Sequence, residues 1–424
     1  MTTETEAKKE KAALAGLSAS SMDADERSTE TSMEELAALV ETAGGESVGW
    51  ALQNRAAPDP RSFLGEGKVA ELKALIEAED CDMAVFDNEL SPSQLRVLGE
   101  ELGVKVLDRP GLILDIFARR ARSREGKLQV ELAQYQYLLP RLTGMWKHLE
   151  RQTASGGNPI GTRGPGETQL ETDRRHIRRK IQKLEEELES VRRVRMTQRK
   201  RREKNAVPVV ALVGYTNAGK SSLLNLLTGS DIPANDRLFD TLDTTTRRLA
   251  VNDHCEALLS DTVGFIRKLP HQLVEAFKAT LEELRYADVL LHVIDISNPD
   301  WETQARIVED LIRELEAESS PCLRIYNKCD LYRGELPRGK NAVCISAKTG
   351  EGAAELLQRL GDFLDEGRRY VNLSLPYDRA GLVELLRREG ALRGVEYGDE
   401  AILVDAVVRP ELWGKVKEYE KENL

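Results

Sequence analysis

The sequence is poor in the residues that build disulfide frameworks and metal centres. Its five cysteines, Cys81, Cys255, Cys322, Cys329 and Cys344, are scattered over 424 residues without a C-x-x-C pair. They read as reduced thiols, which excludes a disulfide scaffold and a thiolate zinc site. Five histidines form no H-E-x-x-H or related cluster, so transition-metal chemistry is not expected. Long hydrophobic runs are also missing. Val207–Val213 and Val289–Ile294 are among the longest, far short of a bilayer span, and the N-terminus has no apolar segment of the secretory kind. No membrane span is expected, and the cytoplasm is the expected location. Nor is there an excess of cationic residues. A formal net charge of −11 argues against a protein that coats nucleic acid, and DNA is not expected as a partner. One local basic face stays compatible with that average, because binding follows the local field.

What is present centres on Gly214-Tyr215-Thr216-Asn217-Ala218-Gly219-Lys220-Ser221. The apolar run Val207–Val213 precedes it and the amphipathic run Ser222–Leu227 follows, which is a strand, a glycine loop and a helix. The spacing is that of the phosphate-binding loop, G-x-x-x-x-G-K-[ST]. Gly214 and Gly219 let the backbone wrap an anion closely, and successive N–H groups at the helix start point at phosphates. Lys220 is expected to reach the β- and γ-phosphates, and Ser221 to place its hydroxyl on Mg²⁺.

Residues 206–368 alternate strand and helix, as a doubly wound sheet requires. The expected strands are Val207–Val213, Arg248–Val251, Ala257–Ser260, Val289–Asp295, Cys322–Tyr326 and Ala342–Ile345. The expected helices are Lys220–Leu227, Val274–Tyr286, Trp301–Glu316 and Ala353–Leu364. Three further motifs fall at strand ends. Asp261-Thr262-Val263-Gly264 supplies a carboxylate to orient Mg²⁺ through its water shell and a glycine N–H for the γ-phosphate. Asn327-Lys328-Cys329-Asp330 supplies an aspartate able to accept from N1–H and the 2-amino group of guanine, donors that adenine lacks. Lys328 can pack its stem over the base. Ser346-Ala347-Lys348 offers the Ala347 N–H to guanine O6.

The remaining chain divides by composition. Residues 1–31 are rich in Glu, Lys, Ser, Thr and Ala with almost no large apolar residue, and read as a disordered tail. Residues 32–122 alternate helix and strand as a small α/β domain. Residues 123–205 carry two apolar stripes at three- and four-residue steps. One is Leu128, Leu132, Tyr135, Leu138 or Leu139, and Leu142. The other is Ile177, Ile181, Leu184, Leu188, Val191 and Val194. They predict an antiparallel helical hairpin around the glycine-rich loop Ser155–Glu167. The second helix is basic at both ends: Arg174, Arg175, Arg178, Arg179, Lys180 and Lys183, then Arg192 to Arg202. An acidic middle is explained by i, i+4 pairs, but the basic ends favour contact with a phosphate backbone. Residues 369–424 read as a small α/β appendage with no catalytic constellation.

The ordered set of nucleotide motifs resembles the translation-factor-related class of small GTPases. The run Gly161-x-Arg163-Gly164-Pro165-Gly166-Glu167-x-Gln169-Leu170-Glu171-x-Asp173-Arg174-Arg175, with the phosphate loop and Phe239-Asp240-Thr241-Leu242-Asp243, resembles the HflX family of ribosome-associated GTPases from about residue 40 onward. The resemblance implies GTP as substrate and Mg²⁺ as cofactor. It places Phe239–Asp243 in the first switch with Thr241 as a Mg²⁺ ligand; by chemistry alone Thr244, Thr245 and Thr246 compete with it. It further implies binding to the large ribosomal subunit and its rRNA through the basic hairpin, with splitting or rescue of stalled ribosomes. Phe265 stands where many GTPases carry a water-orienting glutamine, so slow unaided hydrolysis is expected. The expected fold is multidomain α/β, with a P-loop GTPase doubly wound sheet, an N-terminal α/β domain joined to a helical hairpin, and a small C-terminal α/β domain. A monomer is the simplest state. The rival readings are a signalling GTPase with a protein partner and an ATP-dependent RNA-remodelling activity in the N-terminal domain.

Overall fold

The computed structural model describes residues 9–145, 165–203, 207–231, 238–239, 245–252, 255–270, 273–274, 282–317, 320–365, 369–388, 392–408 and 410–421. Two compact units are present. The first holds Met1–Ser190 with Asn235–Asp243 and Val263–Thr280; the second holds Val191–Ala234, Thr244–Thr262 and Leu281–Leu424.

The first unit contains a four-stranded parallel sheet, order β2-β1-β3-β4, built from β1 (Lys11–Ala19), β2 (Glu46–Arg55), β3 (Met83–Phe86) and β4 (Lys105–Asp108). Helices α1 (Glu30–Thr42), α2 (Glu66–Glu79), α3 (Pro92–Leu102) and α4 (Arg109–Arg120) alternate with the strands. Local chemistry sets their starts. Thr29 and Ser32 form a capping box for α1, Ser91 and Gln94 form one for α3, and Asp108 caps α4 ahead of Pro110.

The strand β1 corrects the reading of residues 1–31 as a disordered tail. Lys11–Ala19 is an inner strand, paired on both edges, with Ala12, Ala13, Leu14, Ala15 and Leu17 fully buried. Its alanines and glycine looked too small to build a core. They are small because helices lie close: a Cβ on Gly16 would stand 2.6 Å from Met33 Sδ and 2.8 Å from Ser28 Cβ. Pairing on both edges satisfies the backbone, and neighbouring elements supply the apolar bulk.

Two long helices follow, α5 (Arg124–Met145) and α6 (Pro165–Glu203). They pack through Leu132, Leu184 and Leu188, with Leu128, Tyr135 and Ile181 alongside. Of Leu138 and Leu139 the first is exposed and the second half-buried, and Val194 at the end of the second stripe is exposed. Pro165, Gly166 and Glu167 belong to α6; the rest of the glycine-rich loop, 155–164, lies outside the described residues. The C-terminal half of α5 is fixed by buried polar contacts. Tyr137 donates to Asp108 Oδ1, and Arg141 donates to Asp108 Oδ2 at 3.0 Å while stacking 3.5 Å over the Tyr137 ring.

The second unit carries a six-stranded sheet, order β10-β9-β8-β5-β7-β6. Its strands are β5 (Val209–Gly214), β6 (Thr245–Asn252), β7 (Cys255–Asp261), β8 (Val289–Asp295), β9 (Cys322–Asn327) and β10 (Ala342–Cys344). Only β6 runs antiparallel within it. The two central strands, β5 and β8, are buried along nearly their whole length, as parallel strands covered on both faces are. Helices α7 (Lys220–Thr228), α8 (Trp301–Glu314) and α9 (Ala353–Asp365) alternate with them. Of the expected helix Val274–Tyr286, residues 275–281 lie outside the described residues and Glu282–Tyr286 is a 3-10 turn. A separate antiparallel sheet, β11 (Arg369–Leu375), β13 (Ile402–Val408) and β12 (Leu392–Tyr397), closes the chain with helices α10 (Gly381–Arg388) and α11 (Pro410–Val416).

Candidate functional site

The six-stranded sheet reverses its winding between β5 and β8, and the carboxyl ends of strands at such a point form a ligand crevice. Every motif of the nucleotide domain that the structure describes ends a strand there. Gly214 closes β5, Asp261 closes β7 and Asn327 closes β9, while Ser346 follows β10.

The two loop glycines are demanded by their neighbours as well as by an anion. A Cβ on Gly214 would sit 2.3 Å from the Val293 carbonyl oxygen. Gly219 has φ of +91°, and its Cβ would sit 2.2 Å from Asn327 Nδ2. Tyr215, Thr216 and Ala218 are buried, and Asn217 turns the exposed tip with φ of +60°. Lys220 is the first residue of α7 and is buried. Its Nζ donates to the carbonyls of Gly214 at 3.1 Å and Tyr215 at 2.8 Å. Burial pulls its pKa down to about 8, against the opposing pull of Asp261.

Ser221 Oγ donates to Asp261 Oδ2 at 2.8 Å. The pair sets a hydroxyl beside a carboxylate at one end of the loop, a hard-oxygen arrangement of the kind magnesium prefers. Thr262 Oγ1 donates to the Leu212 carbonyl and ties β7 to β5. Val263, Gly264 and Phe265, all buried, belong to the first unit. Of the residues expected in the first switch, Phe239 is described and buried; Asp240, Thr241, Leu242 and Asp243 lie outside the described residues.

Asn327 is a crossbrace. Its Nδ2 donates to the Ala218 carbonyl at 2.8 Å, and its Oδ1 accepts from the Ala347 N–H at 2.9 Å. The phosphate loop and the Ser346–Lys348 loop are thereby joined through one side chain. The Ala347 N–H, expected to face guanine O6, is engaged by Asn327 instead. Ser346 is fully buried and its Oγ accepts from the Thr349 N–H at 3.2 Å. Cys329 is partly buried, while Asp330 and Lys348 are exposed at the rim, so a bound base would itself have to cover Asp330.

One site residue was missed from the sequence. Asp295, the last residue of β8, holds Lys328 Nζ at 2.6 Å through Oδ2, and its Oδ1 accepts from Ser297 N and Oγ. Lys328 has a left-handed backbone with φ of +63°. Asp295 thus fixes the lysine whose stem is expected against the base. The sequence held a partial hint, a carboxylate ending β8 just as Asp261 ends β7, but not its partner Lys328.

Three family models match consecutive stretches. Residues 30–118 match the GTP-binding GTPase N-terminal family, 120–202 the GTP-binding GTPase middle region, and 209–328 the 50S ribosome-binding GTPase family. A GTPase HflX of Caldanaerobacter subterraneus subsp. tengcongensis is 45% identical over 97% of this chain and 94% of its own length. The chain belongs to the GTPase HflX family. The HflX of Alkalihalophilus pseudofirmus is 54% identical, covering 92% of each chain, and that of Escherichia coli is 46% identical, covering 87% of this chain and 85% of its own. Membership makes the protein a GTPase with a ribosome-binding type of nucleotide domain. Among the described residues no helix is long and apolar enough to cross a membrane.

Proposed function

We propose that this chain is a GTP-driven switch that docks on the large ribosomal subunit in the cytoplasm and splits or rescues stalled ribosomes under stress. The observation that carries the switch is the Asn327 crossbrace, which joins the phosphate loop to the base-reading loop within one crevice. In that crevice the Lys220 ammonium pairs with phosphate oxygens, Asp330 accepts from the guanine N1–H and 2-amino donors, and Lys328, steadied by Asp295, lays its stem along the base. Ser221 and Asp261 fit Mg²⁺, with Thr241 added by family resemblance; bound Mg²⁺ supplies neutralisation of the phosphate charge. Gly264 offers its N–H to the γ-phosphate.

Phe265 follows Gly264, is buried, and has no group that orients water. Hydrolysis by the isolated chain is therefore slow, and a docked partner completes the site. Arg175, Arg178, Arg179, Lys180 and Lys183 are exposed on α6 and support rRNA as that surface.

The test is GTP hydrolysis by the purified protein with and without large ribosomal subunits, alongside Lys220→Ala. Turnover that rises many-fold with subunits and vanishes in the variant supports the ribosome-gated switch. Equal rates with and without subunits assign the activator to another partner. Ribosome binding that survives Arg174→Glu with Arg175→Glu, and keeps its salt dependence, removes that end of α6 from the interface.

A further inference from the structure

The N-terminal sheet has its own reversal point. Its order, β2-β1-β3-β4, places the carboxyl ends of β1 and β3 side by side where winding changes direction. In open parallel sheets such a place is a ligand crevice. Asp87 and Asn88 follow β3 there, and Ser28 and Ser32 face them from the start of α1. All four are buried.

The crevice is filled by a side chain from a distant part of the same unit. Lys268 Nζ is bonded to Asp87 Oδ2 at 2.5 Å and lies 3.5 Å from both Ser28 Oγ and the Asp87 carbonyl. The side chains are 5% and 0% exposed. Ser28 and Ser32 hydroxyls donate to the same Asp87 oxygen, at 2.7 and 2.9 Å. Asp87 Oδ1 accepts from Arg109 at 2.7 Å, and Arg109 also pairs with Glu35. Within this group Glu35, Arg109 and Asp87 sum to one negative charge, and the Lys268 ammonium brings the sum to zero. These neighbouring cations hold the Asp87 carboxyl below its usual range despite burial. An unpaired charge at such depth is strongly disfavoured, so the pocket selects a cation.

A second anchor in the same unit uses different chemistry. The Phe239 ring is buried against Phe117 of α4, with centroids 4.6 Å apart and planes tilted by 60°. Phe239 and Lys268 share an uncommon feature. Both have left-handed backbones, with φ of +56° and +53°. Non-glycine residues adopt that region at a strain that surrounding contacts must hold in place, and such positions cluster at switches. Phe239 stands two residues before Thr241, and Lys268 four after Gly264.

We infer that the carboxyl edge of the N-terminal sheet, with α4, is a receptor for the chain's own two switch segments, Lys268 seated on Asp87 and Phe239 on Phe117, and that this hold favours the GDP-bound over the GTP-bound state. The inference rests on the proposed GTP switch. Each anchor sits within four residues of a group that must turn to the γ-phosphate or its Mg²⁺. Holding the anchors opposes that turn, and by linkage GTP loosens the hold by the factor that the hold weakens GTP.

The experiment measures the affinities of fluorescent GDP and fluorescent guanosine imidotriphosphate for the full chain, Lys268→Met and Phe117→Leu, with thermal unfolding to establish that each variant is folded. In both variants the ratio of GDP affinity to triphosphate-analogue affinity is expected to fall at least fivefold. A ratio within twofold of the parent in folded variants overturns the receptor and leaves the GTP switch standing; failure of the parent chain to bind either nucleotide overturns both. Should the variants fail to fold, amide exchange on the parent chain decides. Residues 263–270 and 28–35 are expected to exchange faster with the triphosphate analogue than with GDP, and equal rates overturn the inference.

Discussion

Ser221 Oγ and Asp261 Oδ2 are 2.8 Å apart, so the first turn of α7 and the end of β7 meet through one hydrogen bond. The two residues lie 40 positions apart in sequence, and the parallel pairing of β5 with β7 brings them together. A hydrogen bond to a carboxylate contributes about 1.5–3 kcal/mol to stability. Its larger value is as a preset pair of oxygens. Ser221→Ala is expected to destabilise the fold by about 1–3 kcal/mol, because it takes the donor from a buried carboxylate oxygen, and to abolish the gain in GTP affinity that Mg²⁺ confers. Titrations with Mg²⁺ and with a chelator check this; an undiminished Mg²⁺ effect would place the metal elsewhere.

Lys220 makes nucleotide binding sensitive to pH. Its pKa is drawn down to about 8 from an ordinary value of 10.5 because it is buried. Below about pH 8 the ammonium is present and attracts phosphate. Above it the free protein has lost that proton, and binding must take one up. The dissociation constant for GDP is expected to rise between pH 8 and 10 by up to about tenfold per unit. Calorimetry at pH 8.5 in buffers of differing ionisation enthalpy should report proton uptake. Heats independent of the buffer would show that Lys220 is fully charged beforehand.

Gly16 tests the order of β1. Any larger side chain there meets Met33 and Ser28, so Gly16→Val is expected to destabilise the first unit by about 1–3 kcal/mol through overpacking. Denaturant unfolding gives the number. A silent substitution would return residues 11–19 to the status of a tail.

The nucleotide crevice was legible because its chemistry is local. A phosphate loop needs two glycines, a lysine and a hydroxyl within eight residues, and Gly214–Ser221 shows them all. The alternation of helix and strand over residues 32–122 was equally plain, with short apolar runs such as Met83–Phe86 between turn signals. β1 was not legible, because a strand of alanines gains its burial from the bulk of its neighbours. Asp295 was missed for a related reason: its role exists only once β8 and β9 pair, Asp295 opposite Asn327, and bring Lys328 within reach. Likewise no pattern in the sequence joins Lys268 to Asp87, which are 181 residues apart.

His292 predicts how the nucleotide-binding unit responds to acid. It lies mid-strand in β8, opposite Val213 on one side and Arg324 on the other, and is 1% exposed. Neither ring nitrogen has a hydrogen-bond partner among the described residues. Burial, with the Arg324 and Lys220 cations adding to it, pushes its pKa down to about 3 from 6.5. The ring is neutral in the folded chain, whereas the unfolded chain protonates it below 6.5. Between those limits the unfolded state binds the extra proton, so stability falls as pH falls, by up to about 1.4 kcal/mol per unit. His292→Phe removes the proton site and the two unpaired nitrogens while keeping a ring in the core. The variant is expected to lose less stability than the parent between pH 7 and pH 5, read as the change in denaturation midpoint. Equal losses in the two proteins would assign the acid sensitivity to other groups, the ion pairs of the buried carboxylates first among them.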